Sequence, residues 1–354
     1  MSENKIKIAV VGVGNLTSAL VQAIEYYKEG HDDELIHPNL GGFKISDIQI
    51  VAAFDVDDRK VNKDLSEAIF AAPNNKEKVI HVNSLGVKVM MGPLEDGLSE
   101  YTDDVVIISK EKPVDVLSVL KETGAELLIL NTPSGSQLAN KKYVEFALAA
   151  NMGLINCTPS NIVRDNEIVR EFTSKGLPLF GDDLQSQAGG TVFHKGVLEV
   201  LHEQGIKVDD TYQLDVSGGL EGLTTLDYDR RTLKRTTKEN SIARSLPYET
   251  NIAAGTTDYL DFLGSRRIGH YWIKGKGFLG QNVKIDITMQ TDDGSNGAAS
   301  LVDAIRSGKL ALRRGIAGPV STVCCHIFKA PPSYMSRTDA INAFEEFISG
   351  ERSS

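Results

Sequence analysis

A strand that turns through two glycines into a helix restricts the fold of this chain more than any other feature. Residues 6–11 form a short, β-branched apolar run that ends at Gly12-Val13-Gly14-Asn15-Leu16-Thr17, and residues 17–27 then repeat apolar side chains at helical spacing. Gly12 permits the tight turn and Gly14 lets backbone approach a pyrophosphate. Asn15 and Leu16 open a helix whose first N–H groups have no partner within it and can meet phosphate. Where the dinucleotide fingerprint has a third glycine this chain has Thr17, which predicts slightly looser packing of helix on strand.

The same alternation continues. Apolar runs at 49–54, 126–130 and 153–157 read as strands, and amphipathic stretches at 114–123, 136–150 and 166–174 read as helices. Residues 28–46, with Gly, Pro and His, read as a surface excursion between the first two strands. From Gly181 the texture changes: a helix near 191–204 precedes alternating runs at 211–217, 271–278 and 283–290, and a helix at 297–309 follows. The expectation is an α/β protein with a Rossmann-like, doubly wound parallel sheet over residues 1–180. A second α+β domain, 181–296, would carry a mostly antiparallel sheet, with 297–354 returning to the first domain. Two charged stretches, 55–64 and 227–238, read as solvated faces.

The second strand ends in Asp55, where a carboxylate can accept both hydroxyls of an adenosine ribose and repel a 2′-phosphate; this favours NAD, although Arg59 and Lys60 stand close by. Thr132, Pro133 and Ser134 follow another strand, where ligands of doubly wound sheets gather, and are expected on the nicotinamide side. The net charge of −10 without a basic block argues against nucleic-acid binding. No apolar run reaches the ~20 residues of a membrane span, and the polar start before residue 6 does not read as a secretory signal. A soluble, cytoplasmic protein is expected. Cys157, Cys324 and Cys325 lack ligand spacing and the seven histidines form no H-x-x-x-H, so no dedicated metal site is expected; Asp182, Asp183 and Asp293 could at most hold a loose cation.

Further motifs run through the chain in order. They are His37-Pro38, Gly41-Gly42-Phe43, Asp47-Ile48, residues 51–75, Gly92-Pro93, Asp96-Gly97, Gly181-Asp182-Asp183, Ser186-Gln187, the pair Lys234 and Lys238, Asp293 with Asn296, Arg314-Gly315-Ile316, Gly318-Pro319 and Lys329-Ala330-Pro331. Together they resemble the inositol-1-phosphate synthases of prokaryotes over nearly the whole chain. The resemblance implies an isomerase that cyclises D-glucose 6-phosphate with NAD as a recycled redox cofactor, in a homotetramer built through the second domain's sheet. It also implies catalytic roles for Lys234, Lys238 and Lys329. Lys234 would do acid–base work at the oxidised hydroxyl, Lys238 would lie near the phosphate or enolate oxygen, and Lys329 would contact the sugar's oxygens. Four residues apart on a helix, Lys234 and Lys238 would share a face and depress each other's pKa.

Asp183, Gln185, Ser186, Gln187, Gly219, Glu221 and Arg267 fall at the substrate-binding positions of the same pattern, several with changed chemistry. Gln185 replaces a lysine and cannot take a proton at neutral pH. Gly219 and Glu221 replace an asparagine and an aspartate. Arg267 replaces a third lysine, keeping charge without the ability to act as a base. These departures keep two further readings open: a paralogous cyclase or epimerase acting on another sugar phosphate such as fructose 6-phosphate, and a non-catalytic NAD-binding relative.

Overall fold

The computed structural model describes residues 5–32 and 34–354; the polar start, residues 1–4, and Asp33 of the 28–46 excursion lie outside the described residues. In chain order the elements are β1 Ile6–Val11, α1 Asn15–Tyr26, β2 Ile48–Asp55, α2 Leu65–Ala68, β3 Val89–Met91, α3 Val116–Thr123, β4 Leu127–Leu130, α4 Gln137–Ala149, β5 Gly153–Asn156, α5 Asn166–Ser174 and β6 Pro178–Phe180. Then come α6 Gly190–Glu203, β7 Lys207–Ser217, α7 Leu220–Thr224, α8 Tyr228–Ala243, β8 Asn251–Tyr259, β9 Arg266–Lys276, β10 Asn282–Asp292, α9 Asp293–Arg314, β11 Gly318–Pro319, α10 Ser321–Ile327 and α11 Arg337–Ser349.

The first sheet is parallel throughout, in the order β11-β6-β5-β4-β1-β2-β3. Its order reverses between β1 and β4, the place where doubly wound sheets bind ligands at their strands' carboxyl ends. Alternation along β1 divides the core. Ile6, Ile8 and Val10 pack with α1, α9 and α11, whereas Ala9 and Val11 pack with α3, α4 and α5 on the opposite face. Both faces are covered, which explains why the central strands read as continuous apolar runs.

The second sheet, β10-β9-β7-β8, pairs β7 with β9 and β9 with β10 antiparallel but β7 with β8 parallel. It is therefore mixed. The crossover from β7 to β8 runs through α7 and α8, and β8 escapes the sequence pattern because Ile252-Ala253-Ala254-Gly255-Thr256-Thr257 offers little apolar contrast. Leu198, Leu201 and Ile242 of α6 and α8 cover one face of this sheet.

Three expectations change. The charged stretch 227–238 is not a solvated face: it begins α8, and its residues at spacing four, Arg230, Lys234 and Lys238, turn inward, with Arg230 and Lys238 buried. In 55–64, Asp57 and Lys60 are buried and hold the loop after β2. The 28–46 excursion is anchored: Leu40, Phe43 and Ile45 join the core, and Arg306 donates to the carbonyls of His37 and Phe43.

Candidate active site

One cavity of about 240 Å³ lies between the carboxyl ends of the parallel strands and the inner face of the second sheet. At one end is the turn after β1. Gly12 has φ +92°, and a Cβ there would stand 2.5 Å from the Asn131 carbonyl oxygen, so only glycine fits. The helix α1 starts at Gly14 with no side-chain cap and no acid in its first turn, leaving its N–H groups and positive dipole end to a ligand. Thr17 does not loosen the packing, because its buried hydroxyl donates to the Gly12 carbonyl at 2.6 Å and accepts from Asn131 Nδ2 at 3.1 Å. The Asn15 amide is clasped by Asn75, whose own amide reaches the Gly218 carbonyl, tying the glycine turn to the end of β7 in the second sheet.

Asp55 stands outside the cavity lining at the end of β2. One carboxylate oxygen accepts from the Val13 N–H at 2.7 Å and faces Lys60 at 3.6 Å; the other accepts from Val56 and Asp57 N–H. Arg59 is held by Asp57 and the Val105 carbonyl, so this cation is already neutralised.

At the other end α8 delivers its inward stripe. Lys234 pairs with Glu221, which also accepts from Ser134 Oγ at 2.5 Å; Lys238 pairs with Asp215, fully buried on β7. Asp215 accepts from the Gln213 amide as well and faces Arg267 at 3.5 Å, while Arg267 reaches Asp293 at 2.5 Å. Lys329 pairs with Asp183 at 2.8 Å across the backbone ladder between their segments. Each cation thus has its own carboxylate.

The pairings separate the lysines chemically. Burial lowers Lys238 to about 8; Asp215 opposes that fall, and Arg267 and Lys329 add to it. Burial also acts against charge on Lys234, but Glu221 and Asp183 outweigh it and hold this ammonium above its ordinary value. Lys329 is lowered by burial and the nearby Lys234, against the pull of Asp183. The expected mutual depression of Lys234 and Lys238 is not the governing effect: burial sets the fall of Lys238, and Glu221 with Asp183 sets the rise of Lys234.

Of the residues expected at the site, Gly14, Asn15, Leu16, Thr132, Pro133, Ser134, Asp183, Gln185, Ser186, Gly219, Glu221, Lys234, Lys238, Arg267 and Lys329 line the cavity. Gly12 supports it from beneath, and Gln187 turns to a neighbouring cavity. Asp182, Asp183 and Asp293 do not converge: they engage Asn156, Lys329 and Arg267 respectively, and among the described residues no three His, Cys, Asp or Glu side chains gather as a metal site. Sequence reading missed Asp215, Gln213 and Asn75; Asn131 opens the 131–136 segment expected on the nicotinamide side and lines the cavity. The four-residue spacing of Arg230, Lys234 and Lys238 was a usable signal for α8, but nothing local marks Asp215 as the partner of Lys238.

Several buried atoms on this lining have no hydrogen-bond partner among the described residues: the acceptors Asn131 Oδ1, Asp183 Oδ2, Gln185 Oε1 and Gln213 Oε1, and the donor Arg267 Nε. Leaving such groups unpaired costs ~1–3 kcal/mol each. A lining rich in spare acceptors is suited to a ligand rich in hydroxyl donors. The helix α6 points its uncapped start, Gly189 to Thr191, into the same space. A Cβ at Gly190 would meet Gln213 Nε2 at 2.2 Å and the Tyr271 hydroxyl at 2.7 Å, so a side chain there would displace both.

Comparison with known proteins gives a consistent set of likenesses. A family model described as myo-inositol-1-phosphate synthase matches residues 189–294. The chain is 34% identical to the inositol-3-phosphate synthase of Mycolicibacterium smegmatis, covering 99% of this chain and 100% of that one. Among solved structures, Ari2 superposes with a TM-score of 0.79 at 30% identity, covering 98% of this chain and 99% of its own. The inositol-3-phosphate synthase of Caenorhabditis elegans shares the fold, with a TM-score of 0.81 at 12% identity, covering 98% of this chain and 85% of its own.

Proposed function

The chain belongs to the myo-inositol-1-phosphate synthase family, and from that membership we propose that it cyclises D-glucose 6-phosphate to an inositol phosphate by oxidation, enolisation, intramolecular aldol closure and reduction, with NAD as a recycled cofactor. The observation that carries this reading is the union, in one cavity, of spare buried acceptors suited to a polyol with three lysines and an uncapped helix start suited to phosphate and developing oxyanions. The residues present fit the cofactor. The open start of α1 and the close approach at Gly12 suit a pyrophosphate, Asp55 suits an unphosphorylated ribose, and the committed Arg59 offers nothing to a 2′-phosphate. NAD, when bound, supplies a hydride acceptor and donor that leaves the net reaction redox-neutral.

The residues of the chain divide the remaining work. Lys238, whose neutral form is accessible near pH 8, accepts the proton of the hydroxyl being oxidised. This reassigns the role that sequence reading placed on Lys234, because Glu221 keeps Lys234 charged. Lys234 and Lys329 stabilise negative charge on the enolate and aldehyde oxygens, and the start of α6 with Ser186 and Thr191 binds the phosphate. Gln185 orients a hydroxyl and transfers no proton.

A second reading, a cyclase acting on fructose 6-phosphate, is favoured by Gly219, where a side chain would begin 3.4 Å from Asn15 Nδ2 and the missing side chain leaves that space to ligand. Incubation of purified protein with NAD+ and each hexose phosphate, with products resolved by chromatography and NMR, decides between them. Inositol phosphate from glucose 6-phosphate supports the first reading. No turnover of it, with cyclic product from fructose 6-phosphate, replaces the first reading with the second. A homotetramer through the outer face of the second sheet belongs to the same proposal; Tyr212 and Trp272 stack there, beside Leu214, which is 37% exposed.

A further inference from the structure

A second cavity, of about 230 Å³, lies against the first, and Gln185 and Ser186 line both. Its cations, unlike its neighbour's, are not matched one to one with carboxylates. Lys195 from α6 and Arg337 from the start of α11 both line it, and among the described residues neither has a carboxylate within ion-pairing distance. The acids nearby are otherwise engaged. Asp303 takes Arg306 and His37, Glu345 takes His37 at 2.9 Å, and Glu199, one turn along α6 from Lys195, accepts from the Arg337 backbone N–H and attracts both cations without forming an ion pair with either side chain.

Burial draws the Lys195 ammonium below its ordinary value against the pull of Glu199, and Arg337 adds to the drop. His326, stacked on Phe344, is likewise held low, by burial first and also by His37 and Arg337. Lys195 is half-buried and Arg337 is exposed at the cavity's edge, so an anion entering between them would meet two cations whose side chains have no ion-pair partner. A planar guanidinium fork and a point-charge ammonium from different helices match the several oxygens of a phosphate dianion better than the two of a carboxylate.

We propose that this second cavity is a binding site for a small phosphate-bearing molecule, held by Lys195 and Arg337 and separate from the phosphate of the substrate. Its position couples it to the first cavity, because Lys195 lies on the helix whose first turn lines that cavity, and the Gln185 amide donates to the His326 carbonyl at 3.2 Å in the wall between them.

Calorimetric titration of the full chain with inorganic phosphate, and separately with glycerol 3-phosphate, tests the site at fixed ionic strength. Two binding events per chain are expected. One is weakened on the order of tenfold or more in Lys195→Gln and in Arg337→Gln; the other, at the start of α6, is weakened in Thr191→Val. Arg337→Lys, which keeps the charge, should retain most of the affinity, separating loss of the site from loss of the fold. Tighter binding of glycerol 3-phosphate would identify an organic ligand, and equal binding would show that the phosphate group alone is read. A single event lost in Lys195→Gln but kept in Thr191→Val supports the site while counting against phosphate at the first cavity. A single event indifferent to Lys195→Gln and Arg337→Gln overturns the proposal.

Discussion

The two ends of the main cavity are built from different materials. The end at β1 and α1 uses backbone: a glycine at φ +92° pressed against the Asn131 carbonyl, a helix start without a cap, and neutral amides that clasp the turn. The end at α8 uses charge, with Lys234, Lys238, Arg267 and Lys329 each set against a carboxylate drawn from another element. Backbone geometry tolerates little change but does not titrate, so the first end suits a constant ligand. Charge pairs can be exchanged and retuned, so the second is where a family can vary its substrate, and Glu221 and Arg267, whose chemistry differs from what the resemblance implies, lie there.

If that contrast holds, substitutions at the two ends fail in different ways. Lys238→Ala should cost turnover on the order of 10²- to 10⁴-fold while leaving NAD affinity, read by fluorescence titration, within about twofold of the parent; loss of NAD binding in this variant would erase the distinction. Gly12→Ala should do the opposite. It forces ~1–3 kcal/mol of strain and a clash with the Asn131 carbonyl, so NAD should weaken on the order of tenfold or more, and unchanged NAD affinity would show that the turn is less rigid than its geometry implies.

The third test addresses the charged end alone. With Lys238 acting as neutral base, kcat/KM should fall about tenfold per pH unit below its folded pKa of about 8. Asp215 raises that pKa, so Asp215→Asn should move the acid limb to lower pH, by about one unit or more. A uniform drop in rate with the limb unmoved would assign Asp215 a purely structural part. The smallest effect is expected from Thr17→Val, which leaves the Asn131 amide without its acceptor and should lower the unfolding free energy by ~1–3 kcal/mol in chemical denaturation, with little change in rate.

Much of the first end was legible because its causes are local. The β-branched run, the glycine pair and the helical spacing after it lie within one short stretch, and the alternation of apolar runs with amphipathic stretches foretold the parallel sheet. Thr17 was misjudged because its effect depends on Asn131, 114 residues away, which supplies the donor that makes a buried hydroxyl acceptable. The charged start of α8 looked like a solvated surface for a related reason: charge alone does not say which way a helix faces until the acids opposite it are in place.

The order of strands and helices, the glycine turn and the four-residue spacing of the inward basic residues follow from the chain itself, because sterics and helical periodicity act between near neighbours. Which lysine is a base does not. That depends on Asp215 facing Lys238 from 23 residues away and Asp183 facing Lys329 from 146 away, in a space dry enough for desolvation to set their protonation. Only the packing of one sheet against the other creates that space, since a charge's free energy depends on what surrounds it in three dimensions and not on its neighbours in sequence.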